Sequence, residues 1–390
     1  MTALAEFDAI VLGAGSVGNP TAYFLAREGL RVLVLDEFSA SGQGQNKAAI
    51  GGVRATHSDP AKIKLCQLSL EVFSGWKAAT GTDIGWKQGG YCFPAYDARV
   101  EATLRSLLPV QKRYRLAIDW VDADGIRALV PGIDPTGLSG GTFSPDDGQV
   151  SPLKASEAFT TEARRHGAVY RYREPARSLL RDGSVVTGVR TDRGEYRAPS
   201  VVVAAGVRAG DLCRTVGLEI PILPESHEAG ISAPVGAFLG PLVVDLRPGP
   251  EGKTTNFYFG QDADGQVIFC YTPRAPFPGE NRTSTGEFMP IAAARLVQII
   301  PRLKHLAIRR VWRGLYPMTP DGSPFVGRAP NVGGLFLGVG MCGQGLMLGP
   351  GVGMNLASLV ARGRPAIAPE VLELLSPARD PFHGTHETLR

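Results

Sequence analysis

The chain opens with a glycine-rich turn between two apolar runs, and this feature constrains the fold more than any other. A largely apolar run over 7–12 is followed by GAGSVG at 13–18, then by a helical pattern and a second apolar run that ends at Asp36. Asp36 lies 18 residues after Gly18, close to the spacing of roughly 20 at which an acid binds ribose hydroxyls in βαβ units. The order of these parts predicts a site for an adenine dinucleotide.

Each residue of the turn has a physical role in such a site. Gly13 permits the tight turn, and Gly15 lets the backbone approach a pyrophosphate because no Cβ intervenes. Gly18 lets the helix pack closely on the first strand. Ser16 and Val17 lie at the start of the helix, whose free N–H groups and partial positive charge favour phosphate.

Length and charge narrow the class of protein. The 390 residues exceed the roughly 250–300 that one core usually supports, so we expect two domains. A net charge of +4, without windows of clustered Lys/Arg and stacking aromatics, argues against a nucleic-acid partner. No apolar run reaches the roughly 18 residues that a transmembrane helix needs.

Cysteine usage and the first residues predict a location. Residues 1–6 lack a basic region followed by an apolar one, so no signal peptide is expected and the cytoplasm is the default. The cysteines are odd in number, widely scattered and without a CxxC pair, so we expect reduced thiols and no metal site. They are Cys66, Cys92, Cys213, Cys270 and Cys342.

Three more segments are expected to contact the dinucleotide. A polar loop over 39–47 suits a segment that wraps a cofactor, and a buried strand over 198–206 ends in small residues, as strand tips at such sites do. Nine glycines lie between 331 and 353, but no second complete GxGxxG unit with its own acid is present, so one dinucleotide is expected. Candidate contacts in or near the loop and strand segments are Glu37, Gln45, Asn46, Lys47, Ala205 and Gly206, and Ala176 is a further candidate.

The pattern predicts an α/β chain of two interleaved domains. A Rossmann-type domain is expected from three separate stretches of the chain. A second, α+β domain, built on a large antiparallel or mixed sheet, is expected from the stretches between them. The Rossmann-type segments are 1–80, 148–218 and 318–375, those of the second domain are 81–147 and 219–317, and a loose tail covers 376–390.

Five motifs together resemble one family. They lie at 13–18 with Asp36, 51–54, 203–206, 314–322 and 343–350. The combination is similar to FAD-dependent amine and amino-acid oxidoreductases of the D-amino-acid oxidase type, and most similar to sarcosine oxidases and dimethylglycine dehydrogenases. The resemblance covers almost the whole chain and implies that the dinucleotide is FAD.

The resemblance also implies roles for particular residues. Arg54 lies where sarcosine oxidases place an arginine that clamps the substrate carboxylate, a role that suits a planar guanidinium. Tyr258 and Tyr316 match tyrosines that line the substrate pocket. His57 and His227 are possible bases, although a neutral amine can give up hydride without one.

A late glycine-rich turn is the candidate for the flavin ring. Oxidation of a C–H bond next to nitrogen leaves negative charge near flavin N1, and helix N–H groups aimed there stabilise it. The residues with the composition to supply such groups are Gly343, Gln344, Gly345, Leu346 and Met347.

Three departures from the family pattern matter. Gly314 lies where several relatives have a cysteine bonded to the flavin, so noncovalent FAD is expected. Met347 replaces a lysine that helps hold the carboxylate in monomeric sarcosine oxidases, which favours a bulkier or less acidic substrate. Phe269 falls near the lysine that those oxidases use to speed the reaction with oxygen, which favours a poor reaction with oxygen and hence a dehydrogenase.

The leading hypothesis is an FAD-dependent oxidoreductase that oxidises the CH–NH bond of an amino acid or a secondary amine, with oxygen or another electron acceptor. Two alternatives stay open. One is a flavin-dependent 2-hydroxy-acid dehydrogenase, because the same fold hosts that chemistry. The other is an FAD-binding subunit of a larger amine dehydrogenase. A soluble NAD dehydrogenase is disfavoured by the late glycine-rich block.

Overall fold

The computed structural model describes residues 6–383 and 387–389. In chain order the strands are β1 (Ala9–Leu12), β2 (Val32–Leu35), β3 (Gly52–Val53), β4 (Tyr91–Ala95), β5 (Asp119–Asp122), β6 (Gly140–Ser144), β7 (Gly148–Gln149), β8 (Val169–Arg171), β9 (Ala176–Asp182), β10 (Val185–Thr191), β11 (Gly194–Arg197), β12 (Ser200–Val203), β13 (Leu223–Pro234), β14 (Leu242–Asp245), β15 (Thr254–Gln261), β16 (Gln266–Pro273), β17 (Ile308–Met318), β18 (Phe325–Arg328) and β19 (Leu335–Val339). The helices are α1 (Gly18–Arg27), α2 (Pro60–Thr80), α3 (Ala98–Arg113), α4 (Ala123–Leu129), α5 (Pro152–Arg165), α6 (Ala209–Arg214), α7 (Phe288–Ile299), α8 (Gly345–Arg362) and α9 (Pro369–Leu372). Short 3₁₀ turns lie at Asn46–Ala48, Gly206–Arg208, Pro301–His305 and Glu373–Leu375.

A six-stranded sheet in the order β18-β19-β12-β1-β2-β8 forms one layer. Strand β1 pairs in parallel with β2 and β12, with Ala9 opposite Val32 on one side and Ser200 on the other. Every residue of β1 and β2 is buried. Helices α1, α5 and α8 cover one face of the sheet, and the β9-β10-β11 sheet with α6 covers the other, so these strands are continuously apolar. The carboxyl ends of β1, β2, β12 and β19 meet at one edge.

Helix α8 lies across α1 and α2, and its small residues make that packing possible. A Cβ at Gly349 would fall on the carbonyl oxygen of Ser16, and one at Gly353 would lie 2.7 Å from the backbone nitrogen of Thr21. This close approach brings the start of α8 next to the glycine turn before α1.

An eight-stranded mixed sheet, in the order β17-β13-β16-β15-β14-β4-β6-β5, forms the second layer. Its apolar core is rich in aromatic rings, with Phe257, Phe259, Phe269 and Phe288 in contact. The smaller β9-β10-β11 sheet and the β3-β7 pair complete the strands described.

The two large sheets draw on alternating stretches of the chain. The six-stranded sheet takes its strands from 9–35, 169–203 and 325–339, and the eight-stranded sheet takes its strands from 91–144 and 223–318. The assignment of these stretches to two functional domains stays a prediction.

The structure differs from the loose tail predicted over 376–390. Glu387 is 4% exposed and Leu389 is 1% exposed. The polar composition of this stretch indicated a solvated tail, but Ser58, Asp59 and Lys62 hold Glu387, as described below.

Candidate functional site

A cavity of about 810 Å³ runs from the carboxyl edge of the six-stranded sheet to the face of the eight-stranded sheet. Most of the residues that the sequence singled out line it. They are Gly13, Gly15, Ser16, Val17, Asp36, Glu37, Gln45, Asn46, Arg54, Ala176, Ala205, Gly206, Tyr258, Gly314, Tyr316, Gly343, Gln344, Gly345, Leu346 and Met347. The cavity therefore joins the glycine turn, the late turn and the proposed substrate residues in one continuous space.

Three predicted site residues do not line the cavity. Gly18 faces the first strand, where a Cβ would overlap the carbonyl of Gly13, so its role is in packing. Lys47 is exposed. His57 is fully buried behind Arg54. His227 lines the cavity instead, so the structure places this histidine, and not His57, where a substrate could meet it.

Backbone groups and glycines form one end of the cavity. Gly13 has a φ of +103°, and a Cβ there would lie 2.5 Å from the carbonyl oxygen of Ala204. A Cβ at Gly15 would meet nothing within 4 Å, so it would project into open space. Helix α1 begins here with no side-chain cap and no acidic residue in its first turn, which leaves its N–H groups free for an anion.

The Asp36 carboxylate closes this end of the site. It accepts hydrogen bonds from the backbone nitrogens of Ala14 (2.6 Å) and Phe38 (2.7 Å). Burial raises the pKa of Asp36, while the two backbone hydrogen bonds oppose that rise. The Asp36 carboxylate thus holds the glycine turn by a hydrogen bond from the end of β2. In this type of unit, an acid at that position binds ribose hydroxyls.

The late turn presents a second helix N-terminus to the cavity. Gly343 has a φ of +80° and packs against the ring of Tyr316. Gln344 precedes α8 without capping it, and its Oε1 is buried without a hydrogen-bond partner among the described residues. An orphaned polar atom beside free helix N–H groups is typical of a ligand site.

Two tyrosines and a histidine line the opposite wall. The hydroxyls of Tyr258 and Tyr316 are 3.2 Å apart. The His227 ring stacks on Tyr316, with 4.0 Å between centroids and 9° between planes. Both ring nitrogens of His227 are buried without a hydrogen-bond partner in the described part of the chain. Burial raises the pKa of both tyrosines, so their hydroxyls stay neutral donors at neutral pH.

Arg54 enters the cavity wall from the loop after β3. It is 6% exposed, and its guanidinium donates hydrogen bonds to the carbonyls of Thr56 and Leu389. Asp147 fixes the loop that follows, accepting from the Ala55 nitrogen (2.8 Å) and the Thr56 hydroxyl (2.7 Å). Burial raises the pKa of Asp147 to about 6.

A buried ionic cluster lies directly behind Arg54. The Glu387 carboxylate is 3.5 Å from His57 Nδ1 and 3.8 Å from Lys62 Nζ. Burial, with the charge of Arg54, lowers the pKa of His57 to about 4, so this ring is neutral at pH 7. Burial opposes ionisation of Glu387, but the hydrogen bond from His57 and the nearby cations outweigh it and lower its pKa.

Sequence reasoning missed several residues that the fold brings to this end. Tyr91, Phe93, Leu242 and Val244 add apolar lining, and Glu387 supplies the buried carboxylate. None of them belongs to a local motif, and the four apolar residues lie in short strands that are buried at every position. Phe269 lies in the core, while its neighbour Cys270 lines the cavity.

Position 314 has room for a glycine and little more. Gly314 lies opposite His227 in the β13–β17 pair, and a Cβ on it would lie 2.5 Å from the Cβ of Ala48.

Within residues 6–383 and 387–389, no group of three or more His, Cys, Asp or Glu is arranged to hold a metal ion. None of the described helices has the length and apolar character to span a membrane.

Comparisons with known proteins agree with this architecture. Residues 8–359 match the model of the DAO family, described as FAD dependent oxidoreductase. The chain is 27% identical over 368 residues to 4-methylaminobutanoate oxidase (formaldehyde-forming) of Paenarthrobacter nicotinovorans, which covers 91% of this chain and 44% of that protein. It is also 27% identical to glycine oxidase of Pseudomonas aeruginosa, over 92% of this chain and 96% of that one.

A solved structure resembles almost the whole chain. L-Proline dehydrogenase from P. horikoshii superimposes with a TM-score of 0.88 at 27% identity, over 95% of this chain and 97% of that one. Human mitochondrial dimethylglycine dehydrogenase is 24% identical, and the match covers 92% of this chain but 43% of that protein. The chain therefore spans less than half the length of some relatives and nearly all of others.

Proposed function

Because the chain belongs to the FAD-dependent oxidoreductase (DAO) family, we propose that it oxidises the CH–NH bond of an amino acid or a secondary amine to an imine, which water then hydrolyses. The observation that carries the proposal is the single cavity that joins the glycine turn to Arg54, Tyr258, Tyr316 and His227. Such a space accommodates a dinucleotide at one end and a small guest at the other.

The residues present fit FAD. The open space at Gly15 suits a pyrophosphate, and Asp36 is placed for ribose hydroxyls. The orphaned Gln344 oxygen and the first N–H groups of α8 suit a polar ring system. When bound, FAD supplies the acceptor for the hydride removed from the carbon next to nitrogen. We propose that it is held noncovalently, because Gly314 offers no nucleophile.

The other residues act on the substrate. Arg54 binds an acid group and so fixes the direction of the Cα–H bond. Tyr258 and Tyr316 form an apolar wall that ends in two hydroxyls. His227 offers an unpartnered ring nitrogen to an amine or hydroxyl proton. The N–H groups at the start of α8 stabilise negative charge that develops beside them.

One observation favours a second candidate, oxidation of a 2-hydroxy acid. An alcohol needs a firm base for its proton. The buried ring of His227 makes no hydrogen bond to the described residues, and its Nε2 lies 3.9 Å from the Glu225 carboxylate. We rank this below amine oxidation because the 27% identical relatives are named as acting on amines or amino acids.

Location and electron acceptor are part of the same proposal. Five unpaired, buried cysteines support a reducing compartment, so we propose a cytoplasmic enzyme. The acceptor is oxygen or another electron carrier, and partner subunits are a further alternative.

Anaerobic mixing of the FAD-loaded protein with primary, N-methyl and cyclic amino acids and with 2-hydroxy acids tests the proposal. We expect an amino acid to bleach the flavin absorbance. Bleaching by hydroxy acids alone would favour the second candidate, and bleaching by neither class would contradict both. The rate of re-oxidation in air then separates an oxidase from a dehydrogenase.

A further inference from the structure

The segment 387–389 lies against the proposed substrate end of the cavity. Leu389 is 1% exposed and belongs to the same buried apolar cluster as Tyr91, Phe93, Leu242 and Val244. All four of these residues also line the cavity. Leu389 does not itself line the cavity, so its side chain supports this wall from behind, within the apolar cluster that forms it.

The same residue holds the proposed carboxylate anchor. The Leu389 carbonyl accepts a hydrogen bond from Arg54 Nη2 at 2.5 Å, and the Thr56 carbonyl accepts one from Nη1. A guanidinium is planar and carries five N–H groups in a fixed fork. Two carbonyls on two of its nitrogens fix the plane of the fork and leave its other N–H groups for a ligand.

Glu387 anchors the segment in place. Its Oε1 accepts from the Ser58 nitrogen (2.9 Å) and hydroxyl (2.7 Å), and its Oε2 accepts from the Asp59 nitrogen (3.3 Å). Lys62 and His57 lie beside Oε2. A fully buried carboxylate persists only with such partners, so this contact determines where Leu389 sits.

We propose that residues 387–389 complete the substrate site: Glu387 is a positioning residue for Arg54, and Leu389 limits the size of the group that the substrate carries beyond its carboxylate. The inference rests on the proposed function, since it takes the substrate to be a carboxylic acid. It adds a specificity determinant that lies more than 300 positions from Arg54 in the sequence.

The first test removes the bulk of Leu389. FAD-loaded wild type and Leu389→Ala are titrated with acetate, butanoate and hexanoate, and binding is followed by the change in flavin absorbance. Opening the wall is expected to tighten hexanoate about tenfold, the effect of roughly two buried methylene groups, and to change acetate by less than about twofold. Leu389→Met conserves volume and is expected to keep the wild-type preference.

The matched control is Leu374→Ala, at a leucine that is 49% exposed. It is expected to bind all three acids like wild type. The same chain-length preference in Leu389→Ala as in wild type would overturn the role of Leu389. Failure of every carboxylate to perturb the wild-type flavin would overturn the whole inference.

The second test separates positioning from stability. Glu387→Gln keeps the shape but removes the charge, so the segment and Arg54 are held less firmly. Acetate binding is expected to weaken about tenfold, and KM for a bleaching amino acid is expected to rise while kcat changes less than about twofold. Exposed Glu373→Gln is the control. A lowered melting temperature with unchanged acetate binding would show a merely structural role and overturn the assignment.

The two proposals can fail separately. If no amino acid bleaches the flavin but Leu389→Ala still shifts the carboxylate preference, the proposed reaction is wrong and the inference stands. If amino acids bleach the flavin and neither variant alters ligand binding, the reaction stands and the inference is wrong.

Discussion

The two ends of the cavity are formed by different kinds of chemical group. The end near Gly13 and Gly15 relies mainly on backbone groups, on helix N-termini and on the carboxylate of Asp36. The end near Arg54 consists of side chains from many distant segments, with a buried ionic cluster behind it. Cofactor binding at the first end should be disturbed by an added Cβ. Substrate binding and turnover at the second end should be disturbed by a change of charge or by the loss of a ring nitrogen. This difference separates variants that should lose the cofactor from variants that should lose the substrate.

The largest effect is expected at Gly15. A Cβ at this position touches nothing in the protein, so Gly15→Val should fold, yet its side chain would occupy the space offered to a pyrophosphate. We expect FAD affinity to fall by about a hundredfold or more, which corresponds to roughly 3 kcal/mol.

Flavin content after gel filtration, together with the far-UV spectrum, measures this effect. Gly75→Val is the control, because Gly75 is exposed on α2 and a Cβ there also meets nothing within 4 Å. Full flavin retention in Gly15→Val would contradict the assignment of cofactor binding to the first end.

Arg54→Lys should give the next largest effect, at the other end. Lysine keeps the charge but loses the planar fork, so kcat/KM for an amino acid should fall about a hundredfold while flavin content stays at the wild-type level. Steady-state kinetics checks this, with exposed Arg309→Lys as control. Loss of flavin together with activity would mean that the two ends are not separable.

His227→Phe should distinguish the two candidate reactions at the second end of the cavity. Phenylalanine can keep the stack on Tyr316 but removes both ring nitrogens. For an amine substrate we expect kcat to fall about tenfold, below the usual range for an essential general base. A loss of more than about a thousandfold would instead favour the 2-hydroxy-acid candidate.

His57 should affect the pH dependence of the free energy of unfolding rather than kcat. Its pKa is lowered to about 4, so between pH 6.5 and about 4 the unfolded chain takes up a proton that the folded protein does not. The free energy of unfolding should therefore fall as pH is lowered through this window, by on the order of 1–3 kcal/mol.

Chemical denaturation of wild type and His57→Gln at pH 7 and pH 5 measures this contribution. Asp147, whose pKa is raised to about 6, has the opposite sign and is common to both proteins, so it cancels in the comparison. An equal pH dependence in the two proteins would contradict the neutral, buried state of His57.

Tyr258→Phe should have the smallest effect. It removes one hydroxyl from the 3.2 Å pair with Tyr316 and keeps the apolar wall, so kcat/KM should fall about three- to fivefold. A drop as large as that of Arg54→Lys would assign the substrate's acid group to the tyrosines.

The same difference explains what the sequence could predict. The strand, turn, helix and acid of residues 9–36 lie next to one another in the chain, so the glycine spacing and its local context together encode a backbone site of this kind. The late turn at 343–347 could be predicted for the same reason. Family resemblance then placed Arg54, Tyr258 and Tyr316 at a shared cavity.

Tertiary contacts decide the placement of the other residues. His57 is close to Arg54 in sequence, yet the chain turns its ring away from the cavity toward Glu387. Lys47 follows two cavity residues but is exposed. Glu387 and Leu389 lie in a polar stretch, and their burial depends on Lys62 and on strands more than 140 positions away. No local pattern carries that information.

The most direct test is an experimental structure of the FAD-loaded protein with a bound carboxylate ligand. The account predicts a pyrophosphate against Gly13 and Gly15, with the ligand carboxylate on Arg54 between the tyrosine wall and the Leu389 cluster. A flavin outside this cavity, or a carboxylate bound away from Arg54, would contradict it.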